Sequence, residues 1–219
     1  MQHLAKGNPN FSGRLPPLKQ NRVVKGLNVT AVLPYATLRQ RLIAMAYIFC
    51  ITSMVYYGLS LNVGALSGSI YMNTFVSGIV EFPSHAFAQV CVDKLGRRMT
   101  LVLLMGFAAV GVFASSLFTG GTQVFVSMFG RFGIAGSFNM IYLYTTELFP
   151  TIVRSACLGT CSLAARVGGI IAPGIILSQA ISASLPPVVL GLAAASACAV
   201  ALTLPETQGV VIEESLAGA

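Results

Sequence analysis

Apolar residues run through this chain in long stretches separated by short polar breaks. Six windows come near the roughly 20 residues that a helix needs to cross a bilayer core of about 30 Å: 42–60, 70–92, 99–118, 124–146, 156–178 and 188–204. The first and third hold no charged residue, and the last is short, with Leu185-Pro186-Pro187 placed to begin its helix at the interface. Strands of a membrane barrel would show alternation over about ten residues, and none is present. Backbone polar groups in lipid must be satisfied within the segment, so the pattern predicts an all-α membrane protein of six transmembrane helices. Its expected division is a polar basic tail at 1–38, a six-helix bundle at 39–205 and a second tail at 206–219.

Composition agrees with the pattern. Of 219 residues, 55% are hydrophobic and only 9% charged, against about 45–50% and about 25% in soluble domains; mean hydropathy is +0.80. A water-soluble surface cannot be built from this, which excludes a soluble enzyme, a disordered chain and a nucleic-acid binder. The net charge of +7 reflects 13 Lys and Arg against 6 Asp and Glu, and all the cations but Arg131 and Arg166 fall in the stretch through Arg41, in the break at 93–98 or at Arg154. With the first tail inside, those breaks are all cytoplasmic and the outer ones hold no cation, so the positive-inside bias puts both termini in the cytoplasm. The first tail lacks the apolar core of a signal peptide, and no cleavage is expected there. Asn10 and Asn28 match the glycosylation pattern but are discounted on the cytoplasmic side. Cys50, Cys91, Cys157, Cys161 and Cys198 lie in apolar stretches without metal-ligand or paired spacing and read as packing residues. No catalytic triad, nucleotide loop or zinc spacing occurs; neither enzyme nor cofactor is expected.

The chemistry is concentrated in charges within the windows, which are costly in lipid and usually face a partner or an aqueous cavity. Glu81 and Arg166 sit near the middle of their helices, and His85 lies one turn from Glu81 on the same face. Arg131, Phe138 and Tyr142 recur at close to whole turns along the fourth helix. Thr52, Ser53, Tyr56 and Ser60 form a polar stripe on the first, with Tyr57 beside it. Either Glu81 and Arg166 neutralise each other as a structural pair and the tyrosines are satisfied core residues, or Tyr56, Tyr57, Glu81, His85, Arg131, Tyr142 and Arg166 surround a water-accessible cavity, or these groups serve a channel-like or assembly role. Gly130, Gly133, Gly136, Gly159, Gly168 and Gly169 allow close packing or hinge motion. Pro83 and Pro173 each remove a backbone hydrogen bond in mid-helix.

Asp93-Lys94-Leu95-Gly96-Arg97-Arg98 resembles the cytoplasmic signature of the major facilitator superfamily. Glu147-Leu148-Phe149-Pro150-Thr151-Ile152-Val153-Arg154, Pro205-Glu206-Thr207-Gln208-Gly209, Tyr56-Tyr57-Gly58-Leu59-Ser60-Leu61-Asn62 and Val80-Glu81-Phe82-Pro83 narrow the resemblance. The chain looks like the organic cation, organic anion and carnitine transporters of solute carrier family 22, from about residue 38 to 209. The resemblance covers only the C-terminal six of that family's twelve helices, so it implies half of an alternating-access carrier at the plasma membrane. The first tail then corresponds to the family's central cytoplasmic linker.

The resemblance also implies a cytoplasmic gate latched by Asp93, Gly96, Arg97, Arg98, Glu147, Arg154 and Glu206. Arg166 stands where cation transporters of the family tend to carry an acid and anion or carnitine transporters an arginine, which favours substrates with an anionic group. Glu81 in Val80-Glu81 is closer to the carnitine and cation branches, so a zwitterion is a further expectation, with Tyr56, Tyr57 and Tyr142 offering ring faces to its cationic end. Expected partners are the bilayer, the organic ion, and a second transporter half or full-length relative. The alternative is a truncated, non-transporting membrane protein that pairs with full-length transporters and regulates them.

Overall fold

The computed structural model describes residues 30, 32–66 and 68–209. The glycosylation patterns at Asn10 and Asn28 and most of the basic first tail lie outside them. Six α-helices carry the apolar windows: α1 Ala36–Asn62, α2 Ile70–Leu95, α3 Arg97–Ala114, α4 Gly121–Leu148, α5 Arg154–Leu177 and α6 Leu185–Ala201. Five of these are long and apolar enough to cross a membrane, and α6, at 17 residues, is shorter. The chain is thus an integral, multi-pass membrane protein. Several helices outrun their windows; α1 begins before Arg39 and Arg41, which can extend to the headgroups while their stems stay apolar.

The ends are written in the sequence. Pro186 and Pro187 occupy the first turn of α6, where a missing N–H has no partner to lose. Proline at 150 forces Phe149 into an extended conformation (φ −112°, ψ 140°), and α4 stops there. Between α2 and α3 the chain reverses on Gly96 alone, whose φ of +87° a side chain would strain. Pro83 and Pro173 lie inside α2 and α5 without ending either.

The helices form two layers. A row of four runs α5, α1, α4, α2: α1 packs chiefly on α5 and also touches α4, and α4 packs on α2. Behind it α3 and α6 pack on each other, α3 against α4 and α6 against α1. In lipid this association rests on close van der Waals fit. A Cβ on Gly168 would run into the Cys50 carbonyl of α1, and one on Gly111 would stand 2.5 Å from the Gly130 nitrogen of α4. Gly130, Gly133, Gly136 and Gly168 are therefore contact points, whereas a Cβ on Gly159 would meet nothing within 4 Å among the described residues. Met45, Phe49, Val55, Leu104, Ile134, Tyr144 and Leu190 fill the space between the layers.

Candidate functional site

Two polar assemblies interrupt this apolar packing, one in the middle of the row and one at the end where α2 meets α3. The first begins with Arg131, a buried cation on α4. Its Nη2 and Nε donate to Glu81 Oε1 at 2.6 and 3.1 Å, its Nη1 donates to Ser60 Oγ at 2.5 Å and to the Tyr56 carbonyl at 3.3 Å. The guanidinium also lies 4.3 Å from the centre of the Tyr56 ring, and the Tyr56 hydroxyl donates to the same Glu81 oxygen at 3.0 Å. Three donors thus converge on Oε1, while Glu81 Oε2 accepts no hydrogen bond among the described residues.

In front of this knot is a cavity of about 630 Å³ lined by Tyr56, Tyr57, Glu81, His85, Ala135, Phe138, Asn139 and Tyr142. The rings form a continuous wall: Tyr56 lies 5.7 Å edge-on from Tyr57 and 5.4 Å from Phe138, which is 5.9 Å from Tyr142. Because the Arg131–Glu81 pair is neutral as a unit, the wall presents an open carboxylate oxygen, an imidazole, an amide and aromatic faces without a strong fixed charge. Such a surface can take up an apolar body with a few hydrogen bonds and a cationic end.

Five of the seven residues expected around a cavity line it: Tyr56, Tyr57, Glu81, His85 and Tyr142. Arg131 stands behind, fixing Glu81. The Glu81–Arg166 pair raised from the sequence does not form, because α5 and α2 are at opposite ends of the row and Arg131 reaches Glu81 first. Arg166 is exposed on α5, with no hydrogen-bond or ion-pair partner among the described residues. It lies one turn along α5 from Gly169, where a Cβ would meet the Tyr57 ring at 3.3 Å, and it is not among the residues that line the cavity.

The polar stripe on α1 divides in two: Thr52 donates to its own helix at the Ile48 carbonyl, 2.7 Å away, whereas Tyr56 and Ser60 serve the knot. Asn139 and Ala135 were not singled out from the sequence. The signal was there, since positions 135, 138, 139 and 142 follow the i, i+3, i+4, i+7 spacing of one helix face.

At the other assembly the start of α3 is capped by an acid from beyond α6. Glu206 Oε1 accepts the Arg97 amide at 2.9 Å and Oε2 the Arg98 amide at 3.2 Å, placing a carboxylate on a helix N-terminus. Burial alone would raise the Glu206 carboxyl, but the amides of Arg97, Arg98, Gln208 and Thr207 outweigh it and hold the pKa below its ordinary value. Arg97 Nε pairs with Glu147 at 2.8 Å, and Thr207 Oγ1 donates to the same carboxylate at 2.9 Å. Arg98 Nη2 donates to the Leu202 carbonyl at 2.5 Å, and the Tyr144 hydroxyl to that of Pro205.

Gly96 is required twice here, since a Cβ on it would also stand 2.8 Å from the Glu206 carboxylate. Of the seven expected gate residues, Gly96, Arg97, Arg98, Glu147 and Glu206 interlock. Asp93 takes part through its carbonyl, which accepts from Gln208 Nε2 at 3.2 Å, and Arg154 turns to Thr151 Oγ1 at 3.4 Å.

The family model of the sugar (and other) transporters matches residues 18–216. The chain belongs to that family. Its similarity to "Solute carrier family 22 member 15-like" of Xenopus tropicalis is 37% identity over 86% of this chain and 40% of that protein. "Organic cation/carnitine transporter 4" of Arabidopsis thaliana is 34% identical over 91% of the chain and 38% of its own length, and "Solute carrier family 22 member 4" of Mus musculus 34% over 92% and 36%. The chain thus spans about 40% of the length of the relatives it matches. The solved structure of the proton:xylose symporter XylE shares its fold at a TM-score of 0.68, over 79% of this chain and 41% of that one, with 17% identity. The family resemblance read from the motifs and the six-helix major facilitator fold both hold, and the family is one of transporters rather than enzymes.

Proposed function

We propose that this chain is the C-terminal half of an organic-ion carrier working by alternating access at the plasma membrane, with both termini in the cytoplasm. What most supports this is the cavity in which Glu81 keeps one carboxylate oxygen open among four aromatic rings. A substrate with both charges fits best: its cationic end lies against Tyr56, Tyr57, Tyr142 and Glu81 Oε2, and its carboxylate meets the Arg166 fork. The names of the relatives that include organic cation and carnitine transporters point the same way.

Asp93, Gly96, Arg97, Arg98, Glu147 and Glu206 form the cytoplasmic latch in this reading, with Arg154 beside it on Thr151, and the latch releases when the two halves rock. Residues 1–38 and 206–219 serve as the flanking cytoplasmic segments. The test is uptake of radiolabelled carnitine, an aromatic carboxylate and a quaternary amine by vesicles holding the chain, alone and with a full-length relative. Saturable uptake supports the carrier. No uptake, together with suppression of the co-expressed relative, supports the regulatory partner instead.

A further inference from the structure

The cavity wall holds a second ionisable side chain, which the Arg131–Glu81 knot does not use. His85 stands one turn from Glu81, about 6 Å along α2, and lines the cavity beside it. No hydrogen bond or ion pair holds its imidazole among the described residues. Imidazole is the side chain whose charge ordinarily changes between about pH 5 and 8. Nothing packed around it offsets that change. On its own helix Glu81 is already matched by Arg131 of α4 at 2.6 Å, and Asp93 and Lys94 are about 12 and 14 Å further along α2. From α1 come Tyr56 and Tyr57 and from α4 Tyr142, all phenols, which ordinarily ionise near about pH 10. Beyond Arg98 α3 carries no charged residue, and the turn at Val63–Ala65 carries none.

We propose that His85 is a proton site linked to the organic ion: a cationic end bound in the cavity expels a proton from it, and a carboxylate end bound there draws one in. This deepens the carrier reading and rests on it. Linkage is reciprocal, so if a proton on His85 weakens a cation in the same cavity by some factor, that cation weakens the proton by the same factor. Two unit charges about 5 Å apart change each other's affinity about four-fold even in the dielectric of water, and more where cavity walls exclude it. The transfer balances simply. As an ammonium group arrives, the imidazolium gives its N–H proton to the buffer and remains as neutral imidazole. A carboxylate brings the reverse transfer, from buffer to ring nitrogen, and finds a charged N–H donor facing it. For carnitine, which carries both charges, the sign of the proton count tells which end lies beside His85. With its cationic end against Glu81 Oε2 and the tyrosines, release is expected. The linkage needs only that imidazole and ligand share the cavity, so it holds for this chain by itself and within a longer carrier.

Calorimetric titration counts the protons. A quaternary amine, carnitine and an aromatic carboxylate are each titrated into the full chain in nanodiscs near about pH 6.5, in two buffers of different ionisation heat. The expected result is release of part of one proton with the amine and with carnitine, and uptake of part of one with the carboxylate. His85→Gln and His85→Lys should both bring the count to zero, the first by removing the charge and the second by fixing it. Between about pH 8 and 5.5 the wild-type affinity for the amine should fall at least about four-fold and that for the carboxylate should rise, while both variants stay level. Proton counts in His85→Gln equal to wild type, or wild-type affinities that do not change with pH, would overturn the proposal and leave the carrier standing. Absence of saturable binding by all three probes at both pH values rejects the carrier reading and the proposal with it.

Discussion

Replacing Arg131 by methionine keeps the length of the side chain and removes the three donors that hold Glu81, Ser60 and the Tyr56 carbonyl together. Breaking a fully buried ion pair strands a charge and costs about 3–5 kcal/mol. Here Arg131 is 10% and Glu81 24% exposed in their side chains, and Glu81 opens onto the cavity, where water restores part of its hydration. The expected loss is therefore about 2–3 kcal/mol. At roughly 2–4 °C per kcal/mol for a domain of this size, the melting midpoint should fall by about 5–10 °C. Glu81→Gln should cost a similar amount, about 2–3 kcal/mol, because its oxygen still accepts from Tyr56 but the more buried Arg131 guanidinium loses its counter-charge.

The double variant completes the cycle, and the coupling should be at least about 1.5 kcal/mol, with Arg131→Met and Glu81→Gln together milder than their sum. The assay is thermal unfolding of the purified chain in detergent, followed by labelling of the buried thiols Cys157 and Cys161 as they become accessible. An Arg131→Met midpoint within about 1 °C of wild type, or strict additivity in the double variant, would refute the knot as a unit.

Gly96→Ala should destabilise by about 2–4 kcal/mol in the same melting assay, since it adds strain at φ +87° to displacement of the Glu206 carboxylate. The Glu206 carboxyl is held low, so its cap is fully present above the ordinary carboxylate pKa and is lost as pH falls through the depressed folded value. Midpoints from pH 7 down to 3 should show an acid loss that Glu206→Gln removes, and equal acid sensitivity in both would contradict the cap. Gly168→Val should separate α1 from α5 at the Cys50 carbonyl, read as faster modification of Cys50 by a membrane-permeant maleimide; unchanged labelling would count against that contact.

Much of this fold was legible because lipid imposes a simple rule on sequence. Long apolar stretches gave the six helices, Gly96, Pro150 and the prolines at 186 and 187 marked their ends, and the charges in the breaks placed the assembly around Glu206 and Glu147. The cavity was half legible. Tyr56, Tyr57, Glu81, His85 and Tyr142 were found because polar groups in apolar helices need a reason to be there. The partner of Glu81 was not, since one helix's periodicity does not reveal which neighbour it faces. Depth along the membrane pointed to Arg166, which like Glu81 sits near the middle of its helix, and only the lateral order of helices brings Arg131 to Glu81 instead. Asn139 escaped because an exposed amide carries no charge to draw attention, although its spacing from Ala135 and Tyr142 marks the face.

The central proposal is that organic ions bind at the cavity and that Arg166, on α5, reads their charge. Equilibrium binding of radiolabelled carnitine to the chain in nanodiscs, competed by an aromatic carboxylate and by a quaternary amine, tests it in wild type, Arg166→Lys and Arg166→Asp. The account predicts that lysine, which keeps the charge but loses the two-pronged fork, weakens carboxylate competition by about 1–2 kcal/mol, or roughly 5- to 30-fold. Aspartate should abolish carboxylate competition while the quaternary amine still competes. Carboxylate inhibition constants equal to wild type in both variants, or no saturable carnitine binding in any of the three proteins, would contradict it.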